Sequence, residues 1–166
     1  MKKPRFWFDT EFLENGPGPI HLLSIGIVAD DGREYYAVNR DCPISEANAW
    51  VKENVLPLID IATGKPRAQI REEVLDFIGR KETPEIWAYC GAYDWVVLCQ
   101  LIGTMEQLPK SWPHSCNDVR QWADTNAAAK LPPELPGVRH HALWDARWCR
   151  IAWDYLDMFE RGRRAR

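Results

Sequence analysis

The chain has 166 residues, 46% hydrophobic and 27% charged, with 21 basic against 24 acidic side chains and a net charge of −3. That balance suits one globular domain and excludes a disordered, collagen-like or coiled-coil chain. It also argues against coating nucleic acid by bulk charge, although not against handling it at one metal-loaded site.

Residues 1–5 are basic, as a signal peptide's start would be, but the apolar stretch after them stops at Asp9. That is too short for an export signal. The best membrane candidate, residues 95–102, falls short of the ~18 apolar residues a span needs and contains Gln100. A cytoplasmic protein without a membrane partner is expected. Residues 6–12 read as a central strand, apolar on both faces at first. Residues 14–19 are a turn, and residues 20–29, rich in Ile, Leu and Val, make a second strand. Asp30-Asp31-Gly32 is a hairpin signal leading to a third strand at 34–38. These three form an antiparallel meander.

The pattern then changes. Residues 45–56 predict a helix with Ala49, Val51, Val55 and Leu56 inward and Pro57 as its stop. Residues 67–78 predict a clearer one, with Ile70, Val74, Phe77 and Ile78 on one face. A short buried strand follows at 85–89 and a largely apolar helix at 93–102. Asn117 or Asp118 caps a helix running to Thr125. Residues 131–137 are a proline-rich connection, and the last helix spans about 142–159. The expected fold is α/β: one mixed sheet, an antiparallel meander plus parallel strands, flanked by helices. It is read as a single domain over 1–160, followed by a basic tail at 161–166. Five cysteines without a C-x-x-C pair point to reduced thiols in a core, not to zinc or disulfides. Trp87, Trp148 and Trp153 are expected in the core, and Trp95 either there or against a base.

Four acids carry the chemical signal. Asp9 and Glu11 stand two apart on a strand, so both project from one face, directly after three aromatics. Burying two like charges is costly unless a cation lies between them. Asp94 opens the apolar helix. Asp145 lies in the Ala142, Cys149, Ala152, Leu156 stripe of the last helix, where a carboxylate needs a partner. Each alone could be an ordinary solvated, capping or salt-bridged acid. Together, four carboxylates converging at sheet ends can hold two hard cations for phosphoryl transfer. A histidine near them, His140 or His141, can take the proton of the attacking water. His141 stands four before Asp145 and would share its face if the helix extended one turn. His140, five before, is about 140° away and must act from a loop.

These residues resemble the DEDDh 3′–5′ exonucleases of the ribonuclease H-like superfamily. The first motif stands as Phe8-Asp9-Thr10-Glu11-Phe12, the second as Gly91-Ala92-Tyr93-Asp94, and the third as residues 140–146 in the pattern H-x-A-x-x-D-A. Tyr89-Cys90 stand where many members carry His-Asn. The first and second motifs, with Gly32-Arg33-Glu34-Tyr35-Tyr36-Ala37-Val38, are similar to the small exoribonucleases of actinobacteria and their phages. The resemblance implies two Mg²⁺ or Mn²⁺ ions. Asp9, Glu11 and Asp145 would be direct ligands and Asp94 would act through water or at the second ion. It implies His140 as general base, Thr10, Phe12 and Tyr93 as contacts to the terminal nucleotide, RNA 3′ ends as substrate, and a homodimer. A DNA exonuclease using the same site and a non-catalytic RNA-binding module are the alternatives.

Overall fold

A computed structural model describes residues 3–126, 129–133 and 139–165. Its sheet is built from β1 (Arg5–Leu13), β2 (His21–Ala29), β3 (Glu34–Val38), β4 (Glu85–Ala88) and β5 (Asn117–Asp118), in the order β3-β2-β1-β4-β5. β1, β2 and β3 pair antiparallel, and β1–β4 and β4–β5 pair parallel, so the expected mixed sheet is present. The helices are α1 (Ala49–Asn54), α2 (Arg67–Ile78), α3 (Ala92–Ile102), α4 (Val119–Thr125) and α5 (Ala142–Arg164). Among the described residues no helix is long and apolar enough to cross a membrane.

Strand alternation gives β1 two different faces. Phe6 and Phe8 pack with Ile70 and Val74 of α2 and Val97 and Leu98 of α3. Trp7 points the other way, into a layer made by Val119 and Ala123 of α4 and Cys149, Ala152 and Leu156 of α5. Continuing along Trp7's face, Asp9 and Glu11 come next, and then Leu13. Leu13 is buried with Val51 and Val55, and so holds α1 beside the strand's end.

α5 lies across β1 and β2. Gly26 permits this: it pairs with Asp9 on β1, and a Cβ there would collide with the Ala142 carbonyl and the Leu143 amide. α5 is tied down along its length by a two-pronged Arg147–Glu34 ion pair at 2.8 and 2.6 Å and by Arg150 donating to the Ala29 carbonyl. The expected stripe is buried, with Ala142, Cys149, Ala152 and Leu156 all inside.

The segment expected as one helix over 45–56 is instead a 3₁₀ turn (Ile44–Glu46), the six-residue α1, and two more 3₁₀ turns, Leu56–Leu58 and Ile61–Thr63. The Asn48 side chain accepts the Val51 amide and restarts the chain as a new helix, which splits the segment. Ala49 is consequently exposed, and Ala47 takes its place in the core. In α2, Leu75 is buried and Phe77 half-buried. α5 continues past 159 to Arg164, carrying the basic residues 161, 163 and 164 in its last turn; Arg166 and residues 134–138 of the proline-rich connection lie outside the described residues. All five thiols are free, but Cys90 is exposed and so departs from the buried-thiol expectation.

Candidate active site

Asp9, Glu11 and Asp145 each offer a carboxylate oxygen, and these oxygens all lie within 4.8 Å of one another. β1 aims the first two at the α5 face, and the close approach over Gly26 delivers the third from the first turn of α5. Asp94 reaches the cluster from the β4 side. Its Oδ1 accepts the Thr10 amide at 2.9 Å and the Thr10 hydroxyl at 2.6 Å. Asp94 is the third residue of α3, so two helix N-termini face the acids, and their partial positive charge favours anions there.

That help is incomplete. Burial first, then the Asp94, Glu11 and Asp145 carboxylates, hold the Asp9 carboxyl well above the usual carboxylate range. Burial, then Asp145 and Asp94, push Glu11 up to about 8. Burial raises Asp94 to about 6, against the two Thr10 hydrogen bonds that favour its charged form. The charges that Asp9 and Glu11 feel most strongly are thus other carboxylates. A buried, mutually repelling set of hard oxygen donors fits a divalent cation, which would remove the repulsion that the protein alone leaves in place.

The two histidines differ. His141 is the N-cap of α5 with an extended backbone, so the helix does not extend to it. Its ring stacks on Tyr36 with centroids 4.5 Å apart, and burial lowers its pKa. His140 precedes it in the left-handed region at φ +66°, and its amide donates to Asp145 Oδ2 at 2.9 Å. The His140 ring meets Trp50 of α1 edge to face, centroids 4.8 Å apart. Trp50, 52% exposed, carried no signal in the sequence beyond its helical position. On the other flank Tyr93 stacks on Phe12, centroids 5.7 Å apart and nearly parallel, with Tyr93 48% exposed. Thr10 directs both its amide and its hydroxyl inward to Asp94. Trp148 and Trp153 are buried and Trp87 half-buried; Trp95 is half-buried and donates to the His114 carbonyl.

A sequence model of one family, described as the 3′-5′ exoribonuclease Rv2179c-like domain, matches residues 4–156. Two curated relatives, the 3′-5′ exoribonucleases Rv2179c and MT2234.1 of Mycobacterium tuberculosis strains H37Rv and CDC 1551, are each 42% identical over 148 residues. The match covers 86% of this chain and 87% of theirs. Among solved structures, a zinc-bound complex of Escherichia coli exonuclease I with single-stranded DNA superposes with a TM-score of 0.69 at 15% identity, over 98% of this chain. Exonuclease I of Methylocaldum szegediense gives 0.65 at 17% identity, over 93% of this chain. The chain spans only 42% and 40% of those two proteins, so they share its fold and extend well beyond it.

Proposed function

The chain belongs to the 3′-5′ exoribonuclease Rv2179c-like family, and on that premise we propose that it shortens RNA from its 3′ end, one nucleoside 5′-monophosphate at a time. The observation that carries this reading is the convergence of Asp9, Glu11 and Asp145 within 4.8 Å, with Asp94 bound to Thr10 beside them. A non-catalytic binding module has no need for a buried anionic cluster.

In this reading Asp9, Glu11 and Asp145 would hold two Mg²⁺ or Mn²⁺ ions, and Asp94 would act through water or at the second ion. Such ions would supply charge stabilisation to the attacking and leaving oxygens of an in-line displacement. His140 takes the proton from the attacking water at a ring nitrogen. The water oxygen bonds to the phosphorus of the last phosphodiester, the bond from phosphorus to the 3′ oxygen breaks, and that oxygen leaves and takes a proton from solvent water to become the new 3′-hydroxyl. The Asp145 carboxylate has two duties here, since it also fixes the backbone of His140. Tyr93 and Phe12 line one side of the place a terminal nucleotide would occupy. Glu11 and the backbone at Phe12 would read its ribose, while the Thr10 amide and hydroxyl are both held by Asp94.

Residues 1–160 act as one exonuclease domain, with the basic end at 161–166 appended, in the cytoplasm and as a homodimer. The dimer reading is supported by an exposed stripe on α5, Trp144, Ile151, Tyr155 and Met158, at helical spacing.

Because the exonuclease I structures include single-stranded DNA complexes, DNA is the second reading. The discriminating group is the 2′-hydroxyl, which both donates and accepts. A hydrogen bond lost to a charged group is worth ~1.5–3 kcal/mol, on the order of ten- to a hundredfold in rate. Matched RNA and DNA oligomers, plus an RNA ending in one 2′-deoxy residue, are digested in competition. RNA is expected to be consumed fastest; equal rates on all three leave an exonuclease and remove the preference for RNA.

A further inference from the structure

Asp118 carries more than a helix cap requires. As N-cap of α4 it accepts the amides of Arg120 at 2.8 Å and Gln121 at 3.2 Å through Oδ1. A neutral Ser or Asn performs that task about equally well. Here the same carboxylate also accepts the Cys90 amide at 3.2 Å on Oδ1 and the Gly91 amide at 3.0 Å on Oδ2. Four backbone amides from two chain segments thus converge on one side chain. Its negative charge stands near Asp94, whose affinity for protons it raises. A carboxylate placed next to an anionic cluster is unfavourable unless it is strongly solvated by donors, and these amides supply that solvation.

The turn it holds is strained and tight. Cys90 sits at φ +56°; among the described residues only it and His140 are non-glycine residues with positive φ. Residues in that region persist where surrounding structure fixes them, and they cluster at functional sites. Each of the two has its amide bound by a carboxylate, His140 by Asp145 and Cys90 by Asp118. Gly91 has no room for a side chain, since a Cβ would lie 2.5 Å from that of Ala88 and 3.0 Å from Cys116 Sγ. α3 starts at Ala92, and the Gly91 carbonyl accepts the Trp95 amide as its first helical bond. The direction of this turn therefore sets where Asp94 emerges and how it meets Thr10.

We infer that Asp118 is a positioning residue for the hydrolysis: it latches the Cys90–Gly91 turn and so fixes Asp94 against Thr10 beside Asp9 and Glu11. The inference rests on the role proposed above for Asp94. Asp118 is not one of the three acids whose oxygens converge. It acts through two amides and the first turn of α3.

The test compares two neutral replacements, so that loss of charge is the same in both. Asp118→Asn retains an oxygen able to reach the turn. Asp118→Ser keeps the cap on α4 but is too short to reach Cys90 and Gly91. Each is titrated with Mn²⁺ in the absence of RNA, amide exchange is followed at residues 90 and 91, and kcat and KM are measured on an RNA oligomer. Outer-sphere partners of metal ligands are typically worth ~10–100-fold in affinity or activity. Asp118→Ser is expected to bind Mn²⁺ about tenfold or more weakly than Asp118→Asn, to exchange both amides faster, and to lose kcat with KM little changed. Equal Mn²⁺ affinity and equal kcat in the two variants would overturn the latch and leave Asp118 as a cap. If Asp118→Ser does not fold, Asp118→Asn against wild type decides. Faster Gly91 exchange with lower kcat supports the latch, and wild-type exchange and kcat overturn it. The Mn²⁺ and exchange readings use no substrate. A wild-type protein that shows them yet leaves RNA intact would remove the exoribonuclease reading while the latch stands.

Discussion

Asp9 illustrates what one residue is made to tolerate here. It is half-buried among three other carboxylates, and its charge is disfavoured by every one of them. Asp9→Asn and Asp145→Asn should each fold and each lose RNA hydrolysis. Asn removes both a repulsion and the burial of a charge, so metal-free Asp9→Asn should melt higher than wild type at pH 8, by roughly 2–4 °C per kcal/mol relieved. The sign of the pH dependence follows from the raised pKa values. Unfolded Asp and Glu titrate near ~4, whereas folded Glu11 holds its proton to about 8 and Asp94 to about 6. Between those values the folded state binds more protons, so the metal-free protein loses stability as pH rises from ~4 to ~8. Thermal melts with EDTA should show Tm falling across that window, and Mn²⁺ should remove most of the slope at its upper end. A Tm that rises from pH 5 to 8 without metal would contradict the clustering. The histidines separate by the same kind of reasoning. His141 stacks on Tyr36 at the N-cap position of α5, where its side chain makes no capping bond, while His140 stands in the loop against Trp50. His140→Ala should cost ~10²–10⁴-fold in kcat, and His141→Ala much less. If the second substitution loses far more, His141 is the base.

At the scale of elements, the site exists because α5 can descend onto β2. Gly26 is the contact point, and its absent side chain is what brings Asp145 to Asp9 and Glu11. Gly26→Ala should lift the N-terminus of α5, cost about 1–3 kcal/mol as overpacking, and lower kcat on the order of a hundredfold through misplacement. A variant that melts lower but keeps kcat would show that the approach matters for packing alone. Much of the element arrangement was legible in the sequence. The run of three aromatics into Asp9 marks a central strand leaving the core, Asp30-Asp31-Gly32 marks a hairpin, and the stripe containing Asp145 marks the buried face of α5. The short α1 was not legible as it stands. With Val51 its only buried residue, it has no periodic face to read, and its boundary is set by one side-chain bond from Asn48. Gly26 reads as an unremarkable strand residue, because what fills its space arrives from α5 about 115 residues later in the chain. Asp118 was legible as a cap, but not as the partner of Cys90 and Gly91, which stand 28 and 27 residues away.

Across the whole molecule, a net negative chain must attract a negative polymer, so affinity has to come from local features, chiefly cations held by the acids and aromatic surfaces beside them. Trp50, against the His140 ring, and Tyr93, stacked on Phe12, are half-exposed and could offer such surfaces to a single strand. The exposed α5 stripe lies elsewhere on that helix, so pairing of two copies there leaves both sites open. By light scattering the wild type should have the mass of two chains and Ile151→Asp that of one; two chains in both would move the interface to another face, and a monomeric wild type would remove the dimer. The products of RNA digestion report the chemistry itself. A single-stranded RNA labelled at its 5′ end is incubated with Mn²⁺ and wild-type protein, with Asp9→Asn, or with wild type plus excess EDTA. Wild type without EDTA, and it alone, should give a ladder shortening from the 3′ end in single-nucleotide steps, with nucleoside 5′-monophosphates released. Internal cuts, products carrying 3′-phosphates, or an undiminished ladder in EDTA or Asp9→Asn would contradict that chemistry.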